Sequence, residues 1–389
     1  MTELDVESRG GVSLLSLSCH AGKPPSIRMK ERIGIVTGGG DCPGLNAVIS
    51  AVVKTADRRG WETLGIYGGF DGLLTPVNAR PLDYREMDSL MSVGGTVLGT
   101  ANKGRFAAKT GHGDKKEIDP AVLAEARRNF EALRLRALVV VGGDGSLSIG
   151  LQCMNAGIPI VGVPKTIDND IDGTTVTFGF DTAVTFATDA VDRLRTHAMS
   201  HNRVMVVETM GRYAGWIAAH AGIAGGASVV LIPEIPFCYD SIARKIVERE
   251  AEGKHFTMVV VAEGARVKGG DFVTHAGPAE ANREARLGGI AAVVAEEIGK
   301  RTGKEVRTCV LGHLQRGGVP TTFDRLLCTR FGAGAVRLID EQKYGRMVAH
   351  MPPDTSDIPI ADAVGKLRTV PPDGDLIHTG RALGICWGD

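Results

Sequence analysis

The sequence has no excess charge of either sign, few aromatic residues and no long apolar run. Its 389 residues carry 45 basic and 45 acidic side chains, and only 5% are aromatic. A zero net charge argues against general binding to nucleic acid or to a membrane surface, because both favour a basic excess. No apolar run reaches the roughly 18 residues that a membrane span needs. We therefore expect a soluble protein with neither kind of partner.

Cysteine is also scarce and shows no pairing pattern. The seven cysteines are widely spaced, odd in number and without a CxxC motif. This pattern predicts neither a disulfide framework nor a zinc site, and it is typical of a reducing, cytoplasmic compartment. Residues 1–28 lack the basic segment of a secretory signal. We interpret 1–28 as an N-terminal extension that is either disordered or a mis-assigned start, with Met29 as the true one.

Glycine, in contrast, is abundant, with 52 residues, about twice the usual share. The glycines follow no three-residue period, which excludes collagen, and 43% of the residues are apolar, which excludes a low-complexity linker. The chain length favours two lobes over one. We therefore look for glycine in the loops of a folded, two-lobed protein.

Strand-like apolar runs alternate with helical patterns along the chain. After the first run, apolar residues from Leu45 to Ala56 recur at the spacing of one helix face. Such alternation predicts an α/β fold of two Rossmann-like lobes, with largely parallel sheets covered by helices and an active site in the cleft between the lobes. The predicted strands are 33–37, 137–141, 158–163, 204–207, 258–261 and 308–311.

The loop Gly38–Asp41 ends the first predicted strand and precedes a helix. Its backbone N–H groups can approach an anion without steric hindrance, and the helix dipole favours phosphate there. The loop lacks the Gly-Lys-Ser/Thr of a Walker A motif and the third glycine of a dinucleotide-binding motif. A glycine turn with no ligand is the alternative interpretation.

A second glycine loop, Gly142–Ser146, contains one carboxylate, Asp144. A phosphate-compatible loop with one carboxylate is the minimum needed to hold a triphosphate and its magnesium ion. Several kinase classes share this pattern, including NAD kinases and lipid kinases, and a solvent-exposed turn is the alternative. The motif therefore indicates a nucleotide without identifying the acceptor.

The segment Thr166–Asp170 places Asp168 and Asp170 two residues apart, so both point the same way in an extended chain. Phosphoryl transfer to a hydroxyl group needs a carboxylate that accepts the proton and a cation that neutralises the phosphate charge. One carboxylate can act as base while the other assists a metal ion. A turn with solvated carboxylates is the alternative.

Basic side chains follow or open several of the later predicted strands. Arginine binds phosphate oxygens with a planar fork, so this set suits a phosphorylated substrate. Taken singly, each is more typical of a solvated surface. The residues are Arg203, Arg212, Arg307, His313 and Arg316.

As a set, these motifs resemble the 6-phosphofructokinase family. They occur in the family's order, and the resemblance runs from about Ile33 to about Ile339. The segments that carry it are Gly39–Asn46, Gly142–Ser146, Thr166–Asp170, Met210–Tyr213 and Leu311–Gly318.

The resemblance implies phosphoryl transfer from ATP to the 1-hydroxyl of fructose 6-phosphate, giving fructose 1,6-bisphosphate and ADP, the committing step of glycolysis. Asp168 would be the general base, and Asp144 with Asp170 would hold Mg²⁺. Thr166 and Arg212 would steady the transferring phosphoryl group. The residues implied to bind the phosphate donor are Gly40, Tyr67, Gly143, Asp144, Gly145, Ser146 and Lys165.

The resemblance also implies a sugar-binding site shared between subunits. His313 and Arg316 would hold the 6-phosphate, with Arg203 and Arg307 reaching in from a neighbouring subunit of a homotetramer or homodimer. The residues implied to contact the rest of the sugar are Thr166, Asp168, Asp170, Met210, Gly211, Arg212 and Glu263. We assign 29–179 plus 315–362 to the donor lobe and 180–314 plus 363–389 to the fructose 6-phosphate lobe.

Two residues indicate different phosphate donors. Lys165 is typical of relatives that use pyrophosphate, whereas Gly145 is the small residue of relatives that use ATP. An aspartate at position 145 would repel the α-phosphate of ATP directly, while a lysine binds phosphate without excluding a nucleotide. We therefore favour ATP and keep pyrophosphate as the alternative.

Two further alternatives come from other functional classes. A non-catalytic regulatory subunit that binds phosphosugar would not need Asp144, Thr166, Asp168 and Arg212, which are all present. A lipid or NAD kinase would share only the Gly142–Ser146 loop. Both are less consistent with the full set of motifs.

Overall fold

Two β-sheets covered by helices form the framework of the molecule. The computed structural model describes residues 30–101, 104–106, 117–274 and 287–389. The extension predicted at 1–28 lies outside these residues. The strands are β1 (Arg32–Thr37), β2 (Glu62–Ile66), β3 (Ala79–Pro81), β4 (Leu135–Gly142), β5 (Ile160–Pro164), β6 (Val204–Thr209), β7 (Val229–Leu231), β8 (Thr257–Ala262), β9 (Val306–Val310), β10 (Arg346–Met351) and β11 (Asp354–Pro359).

The helices connect these strands. Their bounds are α1 (Leu45–Asp57), α2 (Pro120–Ala132), α3 (Asp144–Asn155), α4 (Phe180–His201), α5 (Trp216–Ala224), α6 (Tyr239–Ala251), α7 (Ile290–Thr302), α8 (Thr322–Asp340), α9 (Ile360–Ala363) and α10 (Asp375–Ala382). The apolar stripe predicted from Leu45 to Ala56 is buried on α1. Burial of that stripe is what stabilises α1, since a helix of this length is marginal alone.

The larger sheet has the strand order β11-β10-β5-β4-β1-β2-β3. Its five inner strands are parallel, and the edge strands β3 and β11 are antiparallel to their neighbours. From β1 the chain moves through α1 to β2 on one side, and β4 lies on the other side. This reversal opens a crevice at the carboxyl ends of β1 and β4, where α/β sheets bind ligands.

The smaller sheet has the order β7-β8-β6-β9, and all of its strands are parallel. Side chains on β6 alternate between two apolar clusters. Met205 and Val207 pack into a core shared with β1, α1, α4, α5 and α8, whereas Val204 and Val206 pack against α6 and α7. The shared core therefore joins one face of each sheet.

The predicted α/β class with two largely parallel, helix-covered sheets is confirmed. Every predicted strand is present, although the ends differ by up to two residues. Strands β2, β3, β7, β10 and β11 are not among the predicted strands; β3 and β7 have only three residues each, and β11 is polar and partly exposed. Residues Glu31–Asp389 form one compact unit, so the proposed lobe boundaries stay a prediction. Within the described ranges no helix is long and apolar enough to cross a membrane.

Candidate functional site

Three loops meet at the carboxyl ends of β1, β4 and β5, which are adjacent in the larger sheet. The Gly38 amide donates to the Val141 carbonyl at 2.9 Å, and the Lys165 amide donates to the Gly142 carbonyl at 3.0 Å. Each loop is thus bound to its neighbour through the backbone. The sequence motifs of the first half of the chain therefore lie side by side.

The Lys165 side chain anchors the first glycine loop. Its side chain is buried, and its ammonium donates to the Gly40 carbonyl. Burial and the nearby Arg316 cation lower the Lys165 pKa, although Asp170 and Asp168 oppose this shift. The hydroxyl of Thr100 donates to the Gly39 carbonyl at 2.5 Å. Two side chains therefore hold the loop in place through its carbonyl groups.

The second glycine loop leads directly into α3, whose first residue is Asp144. Asp144 is partly exposed, and its Oδ1 accepts a hydrogen bond from the Gly365 amide at 2.6 Å. Ser146 is buried and packs so closely that a Cβ on Gly38 or Gly142 would lie within 2.5 Å of a Ser146 atom. These glycines are required for the close approach of the two loops. The result is a helix N-terminus beside two glycine loops, a geometry suited to phosphate.

Asp168 lies at the centre of the site. Its Oδ1 is buried and has no hydrogen-bond partner among the described residues. Burial raises the Asp168 pKa to about 6, and the negative charge of Asp170 adds to the shift, while Arg316, Lys165 and Arg212 oppose it. A buried carboxylate oxygen without a partner is costly. It is explained most simply if a ligand hydroxyl group is its partner.

The smaller sheet contributes the other side of the site. Arg212 comes after β6, Glu263 follows β8, and Arg316 ends a short 3₁₀ helix (Gly312–Arg316) after β9. Burial raises the Glu263 pKa to about 7, with Asp168 and Glu208 adding to the shift. A Cβ at Gly264 would lie 1.8 Å from the Arg212 carbonyl, so only glycine fits there.

Arg316 joins the two sheets. Its Nη1 donates to the Asp41 carbonyl at 3.2 Å, and its charge acts on both Asp168 and Glu263. The motifs that follow β1, β5, β6, β8 and β9 therefore converge on one electrostatic cluster. Its charged members are Lys165, Asp168, Asp170, Arg212, Glu263 and Arg316.

Other predicted residues lie at the margin of the cluster. Thr166 accepts a hydrogen bond from the Asp168 amide at 3.1 Å, and Met210 and Gly211 precede Arg212. Tyr67 follows β2 at the same edge of the sheet and has the Arg80 guanidinium 5.2 Å from its ring centroid. His313 is exposed on the 3₁₀ helix.

Arg203 and Arg307 do not reach this cluster within one chain. Arg203 immediately precedes β6 and Arg307 is the second residue of β9, about 20 Å and about 10 Å along their strands from the carboxyl ends. Arg203 pairs with Glu305 at 2.7 Å, and Arg307 pairs with the same carboxylate at 2.5 Å. Their predicted contact with the sugar phosphate therefore requires a second subunit.

The sequence reasoning missed several residues that shape the site. Thr100 ends the stretch 94–100, which contains three glycines and two threonines. This composition is typical of a loop and is the feature of the sequence that could have indicated Thr100. Arg368 donates to the Asn169 carbonyl at 3.1 Å from a segment that carries no motif. Asp324 is fully buried, and it accepts hydrogen bonds at the N-terminus of α4.

The carboxylates can be tested for their fit to a metal ion. Among the described residues no group of three or more His, Cys, Asp or Glu side chains could hold one. Magnesium in phosphoryl-transfer sites is usually held by one or two carboxylates together with substrate phosphates. Asp144 and Asp170 follow the neighbouring strands β4 and β5 and offer hard oxygen ligands. This donor set fits Mg²⁺ that arrives with a phosphate donor.

Comparisons with known proteins agree with this geometry. A family model described as phosphofructokinase matches residues 32–339. An ATP-dependent 6-phosphofructokinase from Chloroflexus aurantiacus is 52% identical over 360 residues, which cover 92% of this chain and 98% of the relative. A pyrophosphate–fructose 6-phosphate 1-phosphotransferase from Amycolatopsis methanolica is 47% identical over 343 residues, covering 88% of this chain and 97% of the relative.

Solved structures show the same fold. Pichia pastoris phosphofructokinase in the T-state superposes with a TM-score of 0.76 and 28% identity, over 92% of this chain and 37% of that longer chain. A pyrophosphate-dependent phosphofructokinase from Marinobacter aquaeolei superposes with a TM-score of 0.75 at 19% identity, over 92% of each chain.

Proposed function

This chain belongs to the phosphofructokinase family, and on that premise we propose that it transfers a phosphoryl group from ATP to the 1-hydroxyl of fructose 6-phosphate. The products are fructose 1,6-bisphosphate and ADP. The observation that carries the proposal is the Asp168 carboxylate, whose buried Oδ1 has no hydrogen-bond partner among the described residues and which has cations from both sheets around it. A base beside cations is what phosphoryl transfer to an alcohol requires.

In this mechanism Asp168 accepts the proton of the 1-hydroxyl as the sugar oxygen bonds to the γ-phosphorus and the bond to ADP breaks. Arg212 and Thr166 are proposed to stabilise the transferring group, and His313 and Arg316 to hold the 6-phosphate of the sugar. Asp144 and Asp170 would hold Mg²⁺, which neutralises phosphate charge when bound. Glu263, Met210 and Gly211 are proposed to contact the sugar.

The donor is proposed from two observations. The first is Gly145, the second residue of α3, because a residue without a side chain adds neither bulk nor charge near the α-phosphate of a nucleotide. The relative from Chloroflexus, named as ATP-dependent, is also more similar to this chain than the Amycolatopsis relative named for pyrophosphate. Both support ATP. Lys165 and the Amycolatopsis relative favour pyrophosphate as the second candidate.

The deciding experiment assays purified protein with fructose 6-phosphate, Mg²⁺ and either ATP or pyrophosphate. We expect kcat/KM with ATP to exceed that with pyrophosphate by at least about 100-fold, equivalent to about 3 kcal/mol. Turnover with pyrophosphate alone would overturn the ATP proposal and keep the family reaction. No phosphorylation of the sugar with either donor would overturn the function itself.

A pair of variants separates charge from bulk at the donor site. Gly145→Asp should lower kcat/KM for ATP by about 100-fold or more, because its carboxylate opposes the α-phosphate. Gly145→Ala adds bulk without charge and is the matched control. Equal losses in both variants would show that space, and not charge, discriminates between donors.

We also propose a cytoplasmic homo-oligomer, a tetramer or dimer, with shared sites. The six cysteines of the described chain are all free thiols, which supports a reducing compartment. Several exposed apolar side chains lie close to His313 in the sequence and suit a subunit contact. These are Val310, Leu314, Val319, Phe323 and Leu326. Sedimentation analysis tests the assembly, and a strictly monomeric, fully active protein would contradict it.

A further inference from the structure

A segment near the end of the chain crosses the carboxyl edge of both sheets. We call residues 365–370 the strap. Besides the Gly365 bond to Asp144, Leu367 pairs with Ile171 as an isolated antiparallel bridge. At the far end of the strap, the Val370 amide donates to Glu234, just after β7, at 2.8 Å. The strap therefore connects the loops that follow β4 and β5 in the larger sheet to the segment that follows β7 in the smaller sheet.

Arg368, in the middle of the strap, binds two consecutive carbonyl groups of the segment Thr166–Asp170, which we call the acidic segment. Its backbone amide donates to the Asp170 carbonyl at 3.0 Å, and its Nη1 donates to the Asn169 carbonyl at 3.1 Å. Asn169 has φ of +53°, a left-handed conformation that surrounding contacts must maintain. Its side chain accepts from the Thr177 amide at 3.0 Å. The two peptide groups next to Asp170 are thus fixed from the strap.

Trp216 holds Arg368 in this position. The guanidinium lies 4.3 Å from the centroid of the Trp216 ring, and the indole N–H donates to the Arg368 carbonyl at 3.0 Å. A cation over an indole face in a partly buried site is favourable. Because both the cation and the carbonyl of one residue are bound by Trp216, Arg368 has little freedom to leave the acidic segment.

We propose that Arg368 is a positioning residue, which sets the orientation of Asp168 and Asp170 through the backbone without touching substrate. The proposal rests on the proposed function, in which these two carboxylates act as base and metal ligand. A misplacement of about 1 Å at such groups costs about 100-fold in rate. Loss of Arg368 should therefore slow the chemical step and leave substrate binding nearly unchanged.

The test compares Arg368→Gln, Arg368→Lys and Trp216→Phe with the control Arg381→Gln. Arg381 lies on α10, near the same end of the chain, and pairs only with Asp389 among the described residues. We expect Arg368→Gln to lower kcat by about 10–100-fold with KM for both substrates within about threefold. Arg368→Lys should recover part of kcat, Trp216→Phe should lose less, and Arg381→Gln should match the parent protein.

Hydrogen exchange supplies a measurement that does not depend on activity. Peptides covering 165–172 should exchange faster in Arg368→Gln and not in Arg381→Gln. Normal kcat, a change confined to KM, or unchanged exchange in Arg368→Gln overturns the proposal. If Arg368→Gln does not fold, kcat, KM and hydrogen exchange of Arg368→Lys and Trp216→Phe test the proposal in the same way. If the parent protein phosphorylates no sugar, the proposed function fails, and the exchange comparison still tests the grip on the acidic segment.

Discussion

Two opposing requirements act on the ionisation of Asp168. A general base has to be ionised at neutral pH, yet burial near Asp170 favours the protonated carboxyl and raises its pKa to about 6. Lys165, Arg212 and Arg316 limit that rise. This balance gives a carboxylate that is ionised at pH 7 but has a higher proton affinity than a solvated aspartate, which suits the general base that we propose.

The first prediction concerns pH. Because the base works only when deprotonated, kcat should fall about tenfold for each unit of pH below about 6 and level off above about 7. The measurement is kcat with both substrates saturating. In Asp168→Asn the residual turnover should lose this acid limb. An unchanged acid limb in that variant would assign the titration to another group.

The second prediction concerns the rate and stability of the same variant. Asp168→Asn should lower kcat by about 10²–10⁴-fold with little change in KM. Folding raises the pKa of this carboxyl, so its stabilising contribution is present at low pH and lost as the pH rises through about 6. At pH 8 the asparagine variant should therefore be equally or more stable, by up to about 3 kcal/mol. A lower Tm at pH 8 but not at pH 5 would contradict this.

Among the elements, the N-terminus of α4 depends on one buried carboxylate from α8. Asp324, in the first turn of α8, accepts from the Gly179 and Thr182 amides at 3.0 and 2.9 Å and from the Thr182 hydroxyl at 2.6 Å. Burial raises its pKa to about 6. These bonds tie α4, which leads into the smaller sheet, to α8, which packs on α1.

The third prediction follows from this contact. Asp324→Ala leaves three buried donors without an acceptor and should cost about 3 kcal/mol of unfolding free energy, measured by chemical denaturation. Asp119→Ala is the matched control, because Asp119 caps α2 at an exposed site through the Ala121 amide. Its loss should cost about 1 kcal/mol. Equal costs would show that burial of the Asp324 cap is unimportant.

The sequence was sufficient for elements whose signal is local. The strand before Gly38 and the apolar stripe of α1 are periodic patterns, and loops after parallel strands must lie at one edge of a sheet. The grip of Arg368 on Asn169 spans 199 residues, and the cap by Asp324 joins helices 142 residues apart. Such contacts depend on tertiary packing and leave no periodic pattern. The chemical roles of the site residues stay predictions until they are measured.

For the molecule as a whole, the positions of Arg203 and Arg307 mean that one chain holds only part of its predicted substrate site. The cationic pair lies at the amino ends of β6 and β9, while Asp168 lies among the loops at the opposite edge. Oligomers with closed symmetry can bring the amino ends of one subunit to the carboxyl ends of another. Each active site would then contain residues from two chains.

The fourth prediction uses that division. Co-expression of Asp168→Asn with Arg307→Gln should yield about a quarter of the parent activity, because one site in four combines the two intact halves in a random assembly. Asp168→Asn with Arg212→Gln is the control pair, since both changes fall in the same half and no intact site can form. Equal activity in the two mixtures would contradict shared sites.

The strap also has a consequence for the time at which the enzyme becomes active. Asn169 leaves the ribosome long before Arg368, which lies 199 residues later. At a synthesis rate of about 5–20 residues per second, the acidic segment is synthesised on the order of 10–40 s before Arg368. Both glycine loops are synthesised early, but the proposed base and metal ligands gain this anchor only when translation is nearly finished. A chain that ends before Arg368 is therefore expected to lack this support for Asp168 and Asp170.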